Sequence, residues 1–127
     1  DTYNANPDSM IAAIEALSEL QVIKCMVLAD MGELGEKSVH SHEEVLTKAS
    51  QKIEKVFLIG KEFAKASQKL GLGFHCVDNY LLVNEINNWI DGQIELHSKK
   101  EVAVWFKGSR LNGLEKVVKS LLKKGLN

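Results

Sequence analysis

Three polar stretches hold the residues of this chain that could do chemistry. They are Asp1, Tyr3, Asn4 and Asn6; then Asp30, Glu33 and Glu36 with Ser38, His40 and His42 close behind; and finally Lys107-Gly108-Ser109-Arg110. Helix capping accounts for the polar residues of the first stretch from Asn6 onwards, but not for Asp1, Tyr3 and Asn4. The second stretch sets three carboxylates within seven residues, the kind of oxygen ligands that suit magnesium or calcium. It lacks the EF-hand pattern and its terminal bidentate acid, and a solvated turn is the alternative. In the third stretch a glycine lets backbone amides approach an anion, while Lys107 supplies charge and Arg110 can grip a carboxylate or phosphate with two bonds. It is not a Walker loop, and a glycine turn leading to a capping serine is the alternative. His40 and His42 are too close together, and too far from any cysteine, for a zinc site. His75 and His97 have no constellation around them. No serine, cysteine and histidine arrangement supports nucleophilic catalysis, so no catalytic or metal-ligating residue is assigned to this chain.

Each of these stretches lies where a strand should end and a helix begin. Asn6 suits an N-cap, Pro7 the first helical position and Asp8 the positive helix end, ahead of an apolar face of Met10, Ile11, Ile14, Leu17 and Leu20. Residues 22–29 form an apolar run of strand length, as in a sheet covered on both faces. Ser41 and Glu44 have capping-box spacing, which predicts a helix from about 41 to 53 with Val45, Leu46 and Ala49 inward. A strand at 55–60, a helix at 62–70 ending on Gly71, and a short strand at 74–77 follow. Asp78 or Asn79 then caps a helix carrying Leu81, Leu82, Ile86, Trp89 and Ile90. Residues 91–100 are polar apart from Ile94 and Leu96 and are read as an edge strand or a loop. The last strand is predicted at 101–106, and a final helix at about 113–124 buries Leu114, Val117, Val118, Leu121 and Leu122. Trp89 and Trp105, set in apolar faces, are read as core.

This alternation predicts an α/β, three-layer Rossmann-like fold, a mostly parallel sheet with helices on both faces. Right-handed crossovers put every strand's C-terminal end on one rim, where the three polar stretches open. The strand that should lead into Asp1 is lacking, so one sheet position is expected to be vacant.

A chain of 127 residues forms one domain with a single core, and 45% hydrophobic and 26% charged residues are ordinary for a soluble protein. A net charge of −1 with no basic stripe speaks against nucleic acid as a partner. Cys25 and Cys76 lie in apolar runs and are read as buried free thiols in a reducing compartment. No run is long enough to span a membrane as a helix. The chain starts without methionine, in the middle of a structural unit, and is read as a piece of something larger.

Asp-x-Tyr-Asn-Ala-Asn-Pro-x-Ser-Met at residues 1–10, Leu-Ala-Asp-Met-Gly-Glu-Leu-Gly at 28–35 followed by Ser38 and His42, and Lys-Gly-Ser-Arg at 107–110 with Glu115 beyond resemble the C-terminal domain of the Mur ligases. Ala29 stands where that family usually has glycine, and His40 matches no family position. The resemblance covers the whole chain, as one C-terminal domain over 1–127 of a three-domain ligase. It implies an ATP- and Mg2+-dependent amide ligation in peptidoglycan precursor synthesis in the bacterial cytoplasm. In the reaction it implies, the carboxylate of UDP-N-acetylmuramoyl-tripeptide is phosphorylated and then attacked by the amine of D-alanyl-D-alanine. It further implies that Asp1, Tyr3, Asn4 and Asn6 line the nucleotide side of an interdomain cleft, Asp1 near the ribose. Asp30, Glu33, His42, Lys107, Ser109 and Arg110 face the acceptor dipeptide or the acyl phosphate. The Gly-Lys-Thr phosphate loop, the magnesium ligands and the UDP-sugar site belong to N-terminal and central domains, so this chain alone is expected to be inactive. A domain of a sibling Mur ligase or of a folylpolyglutamate synthase, and a non-catalytic flavodoxin-like binding module, are the competing readings.

Overall fold

The computed structural model describes residues 6–97 and 101–108. Within them the chain runs α1 (Pro7–Ser18), β1 (Ile23–Ala29), α2 (Ser38–Lys52), β2 (Lys55–Ile59), α3 (Lys61–Leu70), β3 (Phe74–Cys76), α4 (Asn79–Leu96) and β4 (Val102–Lys107), with a single 3-10 turn at Gly35–Lys37 ahead of α2. The helix predicted at 113–124 lies outside the described residues, as do Asp1, Tyr3, Asn4, Ser109 and Arg110.

All seven residues of β1 are buried, and the two-residue period of a strand divides them between two cores. Met26 and Leu28 face one side, where Met10 and Ile14 of α1, Val45, Leu46 and Ala49 of α2, and Phe63 and Ala66 of α3 cover them. Cys25, Val27 and Ala29 face the other, under Leu82 and Ile86 of α4. Trp105 packs against the first core and Trp89 against the second, both as structural residues. The buried Lys24 escapes at the strand's start, where its Nζ donates to the carbonyls of Leu20 and Val22, both at 3.2 Å, and lies 3.7 Å from Glu54.

The four described strands are all parallel and stand in the order β3-β2-β1-β4. This is the order in which a Rossmann sheet begins, not that of flavodoxin. The three-layer α/β expectation therefore holds, with α1, α2 and α3 on one face and α4 on the other.

Local chemistry sets the element ends. The Asn6 side chain accepts the Ser9 N–H at 2.9 Å while Ser9 Oγ accepts the Asn6 N–H at 3.1 Å, a reciprocal cap with Pro7 in the first turn. Asp78 Oδ1 caps α4 through the Leu81 N–H at 2.8 Å, and Gly71, at φ +67°, closes α3.

Three expectations need correction: the single core is two, one on each face of the sheet, and two element assignments differ. Ser41 does not start α2: the 3-10 turn feeds straight into a helix that begins at Ser38, so Ser41 lies one turn inside it and is buried. Residues 91–96 are neither strand nor loop but the last turns of α4, since nothing among them except Gly92 disfavours a helix. Ile94 and Leu96 are 54% and 73% exposed there, which is why no inward period could be read from them.

Cys25 and Cys76 are free and buried on the same face of the sheet, but β2 stands between their strands. Two strand spacings make about 9–10 Å, beyond the reach of a disulfide. Burial pushes the Cys25 thiol up to about 12 and the Cys76 thiol, helped by Glu85 and Asp78, up to about 11. Both are protonated near neutral pH and should ignore a disulfide reagent in the native protein, then react fully in guanidinium. Rapid labelling of the folded protein would show instead that the α4 face opens.

Candidate functional site

The crossovers create one switch point among the described strands. From β1 the chain steps to β2 and β3 through helices on one face, then returns through α4 on the opposite face to place β4 on the other side of β1. The direction of winding therefore reverses between β1 and β4, and ligands of open α/β sheets bind outside the carboxyl ends of strands at such a point. Residues 30–38 leave β1 there, and Lys107 ends β4 beside Leu28. The short reversal between Ser18 and Ile23 lays α1 back along the sheet, so its Asn6 end points to the same rim.

A ring of hydrogen bonds fixes the loop leaving β1. The two oxygens of Asp30 accept the N–H groups of Glu62 at 2.9 Å and Phe63 at 3.0 Å, capping α3 from another strand. Gly60, the residue before α3, has no side chain to do this; a Cβ there would lie 2.5 Å from Asp30 Oδ1. His75 Nε2 donates to the Gly60 carbonyl at 3.1 Å and holds the same turn from β3. His42 is fully buried, its ring edge-on to Phe63 at 4.6 Å. Its Nε2 accepts the Met31 N–H at 3.0 Å, so the proton sits on Nδ1 and is donated to the Ser38 carbonyl at 2.7 Å. The Ser38 hydroxyl then donates to Glu62 Oε1 at 3.0 Å.

Lys65, 2.9 Å from the second Glu62 oxygen, holds that carboxyl below the usual carboxylate range, and the Ser38 bond adds to the effect against an opposing push from burial. The stabilisation from this depressed carboxyl is present above the ordinary carboxylate range and is lost as the pH falls through the depressed one.

Between these anchors Glu33 is exposed and adopts φ +60°, a left-handed backbone that costs a non-glycine residue about 1–2 kcal/mol. Across the crevice Gly108 is buried against β1, where a Cβ would stand 2.5 Å from the Ala29 carbonyl oxygen and 2.6 Å from the Ala29 methyl. The Lys-Gly step is thus required sterically, and the methyl that Ala29 adds fits because residue 108 has none.

Of the residues read from sequence, the structure brings Asn6, Asp30, Glu33, His42 and Lys107 to one rim. Asn6 is engaged in the α1 cap, and Asp30 and His42 point their polar atoms into the protein. Sequence reasoning missed Gly60, Glu62 and His75. The Gly-Lys-Glu step after β2 was a usable sign, since a helix opening on glycine needs its cap from elsewhere. Among the described residues no three metal-ligating side chains converge.

Asp30→Asn puts an amide nitrogen against one of the two α3 N–H groups, and a loss of about 1–3 kcal/mol is expected in urea unfolding. Gly108→Ala, forced against backbone, should cost at least as much, about 1–3 kcal/mol or more. Wild-type stability in either variant would contradict the geometry described.

Residues 1–110 match a family model described as Mur ligase, glutamate ligase domain. The UDP-N-acetylmuramoyl-tripeptide–D-alanyl-D-alanine ligase of Buchnera aphidicola subsp. Acyrthosiphon pisum is 36% identical over 124 residues, which are 97% of this chain and 26% of that protein. A crystal structure of MurF from Acinetobacter baumannii superposes with a TM-score of 0.80 at 28% identity, over 97% of this chain and 27% of that one. MurF ligase from Thermotoga maritima in complex with ADP gives 0.72 at 26%, over 97% and 27%. The chain thus spans about a quarter of the length of the relatives it matches. It belongs to the Mur ligase family.

Proposed function

We propose that this chain is the C-terminal domain of an ATP-dependent ligase that joins D-alanyl-D-alanine to UDP-N-acetylmuramoyl-tripeptide in peptidoglycan precursor synthesis, in the bacterial cytoplasm. The observation that carries the reading is that 97% of the chain aligns with ligases of this one specificity, by sequence and by structure. Its partners are then the two substrates and its own N-terminal and central domains. No described helix is long and apolar enough to cross a membrane.

ATP supplies the phosphoryl group that turns the tripeptide carboxylate into an acyl phosphate, and the solved relative holding ADP supports a nucleotide in this family. The chain's own part is to orient. Asp1, Tyr3, Asn4 and Asn6, before and at the rim end of α1, face the nucleotide. Mg2+ is held mainly by the central domain.

The acceptor dipeptide has a cationic amine at one end and a carboxylate at the other, and the two loops at the β1/β4 crevice carry opposite charges. Glu33, exposed at the crest of the first loop, suits the ammonium end of the dipeptide. Lys107, with Ser109 and Arg110 after it, suits the carboxylate or the acyl phosphate. Asp30 and His42 act on the acceptor side through the loop they hold. The same division predicts that this chain alone makes no product.

The test is ligation by the full-length ligase, following ADP and product with D-alanyl-D-alanine as acceptor. Lys107→Ala should lower kcat/KM by about tenfold or more, equivalent to about 1.4 kcal/mol, with unfolding unchanged. Glu33→Gly relieves the left-handed backbone, so its stability should hold or rise by up to about 1 kcal/mol while the KM for the dipeptide rises. A wild-type ligase that rejects this dipeptide, or variants as active as wild type, would refute the assignment.

A further inference from the structure

Glu62 touches both ends of the rim loop. Its backbone N–H donates to Asp30 Oδ2 at 2.9 Å, where the loop leaves β1, and its side-chain Oε1 accepts the Ser38 hydroxyl at 3.0 Å, where the loop enters α2. The second carboxylate oxygen is held by Lys65 at 2.9 Å, which fixes the rotamer, and the side chain is only 17% exposed. Ser38 in turn accepts the His42 Nδ1 proton on its carbonyl, and His42 takes the Met31 N–H. Residues 32–37 are thereby an arc whose two feet stand on one residue of another helix, with the left-handed Glu33 near its crest.

We propose that Glu62 is a positioning residue for the acceptor-side loop: its carboxylate clasps Ser38 and so fixes the arc of residues 32–37 that presents Glu33 to the crevice. The clasp rests on the acceptor-side reading above for its consequence in ligation, but not for its consequence in the loop itself. Removing the carboxylate takes the side-chain bond from the Ser38 foot, which keeps only the His42 bond to its carbonyl, while Asp30 keeps the other foot, so the loop loosens without α3 losing its cap. The acceptor then meets a mobile loop, whereas the nucleotide, on the α1 side, does not.

The experiment compares Glu62→Ala, Glu62→Gln, Ser38→Ala and the Glu62→Ala/Ser38→Ala double variant with wild type in the full-length ligase. It reads the separate KM values for D-alanyl-D-alanine and ATP, thermal unfolding, and amide hydrogen exchange over residues 31–38. Glu62→Ala should raise the dipeptide KM about tenfold, leave the ATP KM within about twofold, and speed exchange in the loop about tenfold, as loss of a hydrogen bond to a charged group implies. Ser38→Ala should match it, and the double variant should be no worse than either single one. Glu62→Gln, whose amide oxygen can still accept from Ser38 once the 60% exposed Lys65 turns away from the amide nitrogen, should recover part of both effects. Unchanged exchange in Glu62→Ala, additive single variants, or equal rises in both KM values with a lowered melting temperature would overturn the clasp. A wild-type enzyme that does not use the dipeptide would refute the function proposed above instead; loop exchange alone would then decide the clasp, faster exchange upholding it and unchanged exchange removing it.

Discussion

The carboxylate of Asp30 is the contact on which the rim depends. A helix leaves its first amides without partners, and α3 opens on a glycine that cannot supply one. Asp30 satisfies two of those amides from the end of a different strand, so the start of α3 and the end of β1 are set by a single group. The arrangement is reciprocal. Gly60 must lack a side chain for the carboxylate to reach the helix, and the carboxylate must reach the helix because Gly60 lacks a side chain. With β1 and α3 joined across the end of β2, the chain between Met31 and Ser38 has no choice but to arch over the join. His42 and Glu62 then hold its two feet.

That join is possible only because of how β1 is buried. Seven consecutive buried residues, the last five alternating between two cores, make β1 the strand against which everything else is placed. β2 and β4 pair with it on either side in register from Cys25 to Ala29 and from Ile23 to Leu28. A one-residue slip would exchange the two faces and bury the wrong set, so the register is firmly held. The same register brings Gly108 against Ala29 and places the ends of β1 and β4 side by side. Packing in the middle of the sheet thus determines which loops meet at its rim.

The fold was largely legible because its signals are local and repeated. Apolar residues at helical spacing in α1 and α2, apolar runs in β1 and β2, and Asp78 ahead of α4 each report on their own segment. Ser41 misled because a capping-box spacing also occurs inside a helix, and only the 3-10 turn before it shows that the helix has already begun. The end of α4 was illegible because its apolar residues are exposed and show no buried face to count. The candidate site was legible as a set of residues but not as a set of roles. Asp30 opens the polar rim loop and His42 lies one turn into α2, and sequence has no means of saying that their partners are the amides of Glu62, Phe63 and Met31. That knowledge needs strand order: α3 lies beside the Asp30 end of β1 because β2 pairs with β1.

The division between inward and outward groups has a consequence for binding. Asp30, His42, Ser38 and Glu62 satisfy one another, so the ring is complete without a ligand. Glu33 and Lys107 lie outside it, at the carboxyl ends of two adjacent strands. Left-handed backbone at a glutamate persists only where its surroundings hold it, and here both feet of the arc are held by buried or half-buried hydrogen bonds. A loop already fixed in that way loses little further conformational entropy when a ligand arrives. Strain at the crest and rigidity at the feet are therefore two sides of one design, in which ordering of the arc is accomplished by folding and binding is left to choose the ligand.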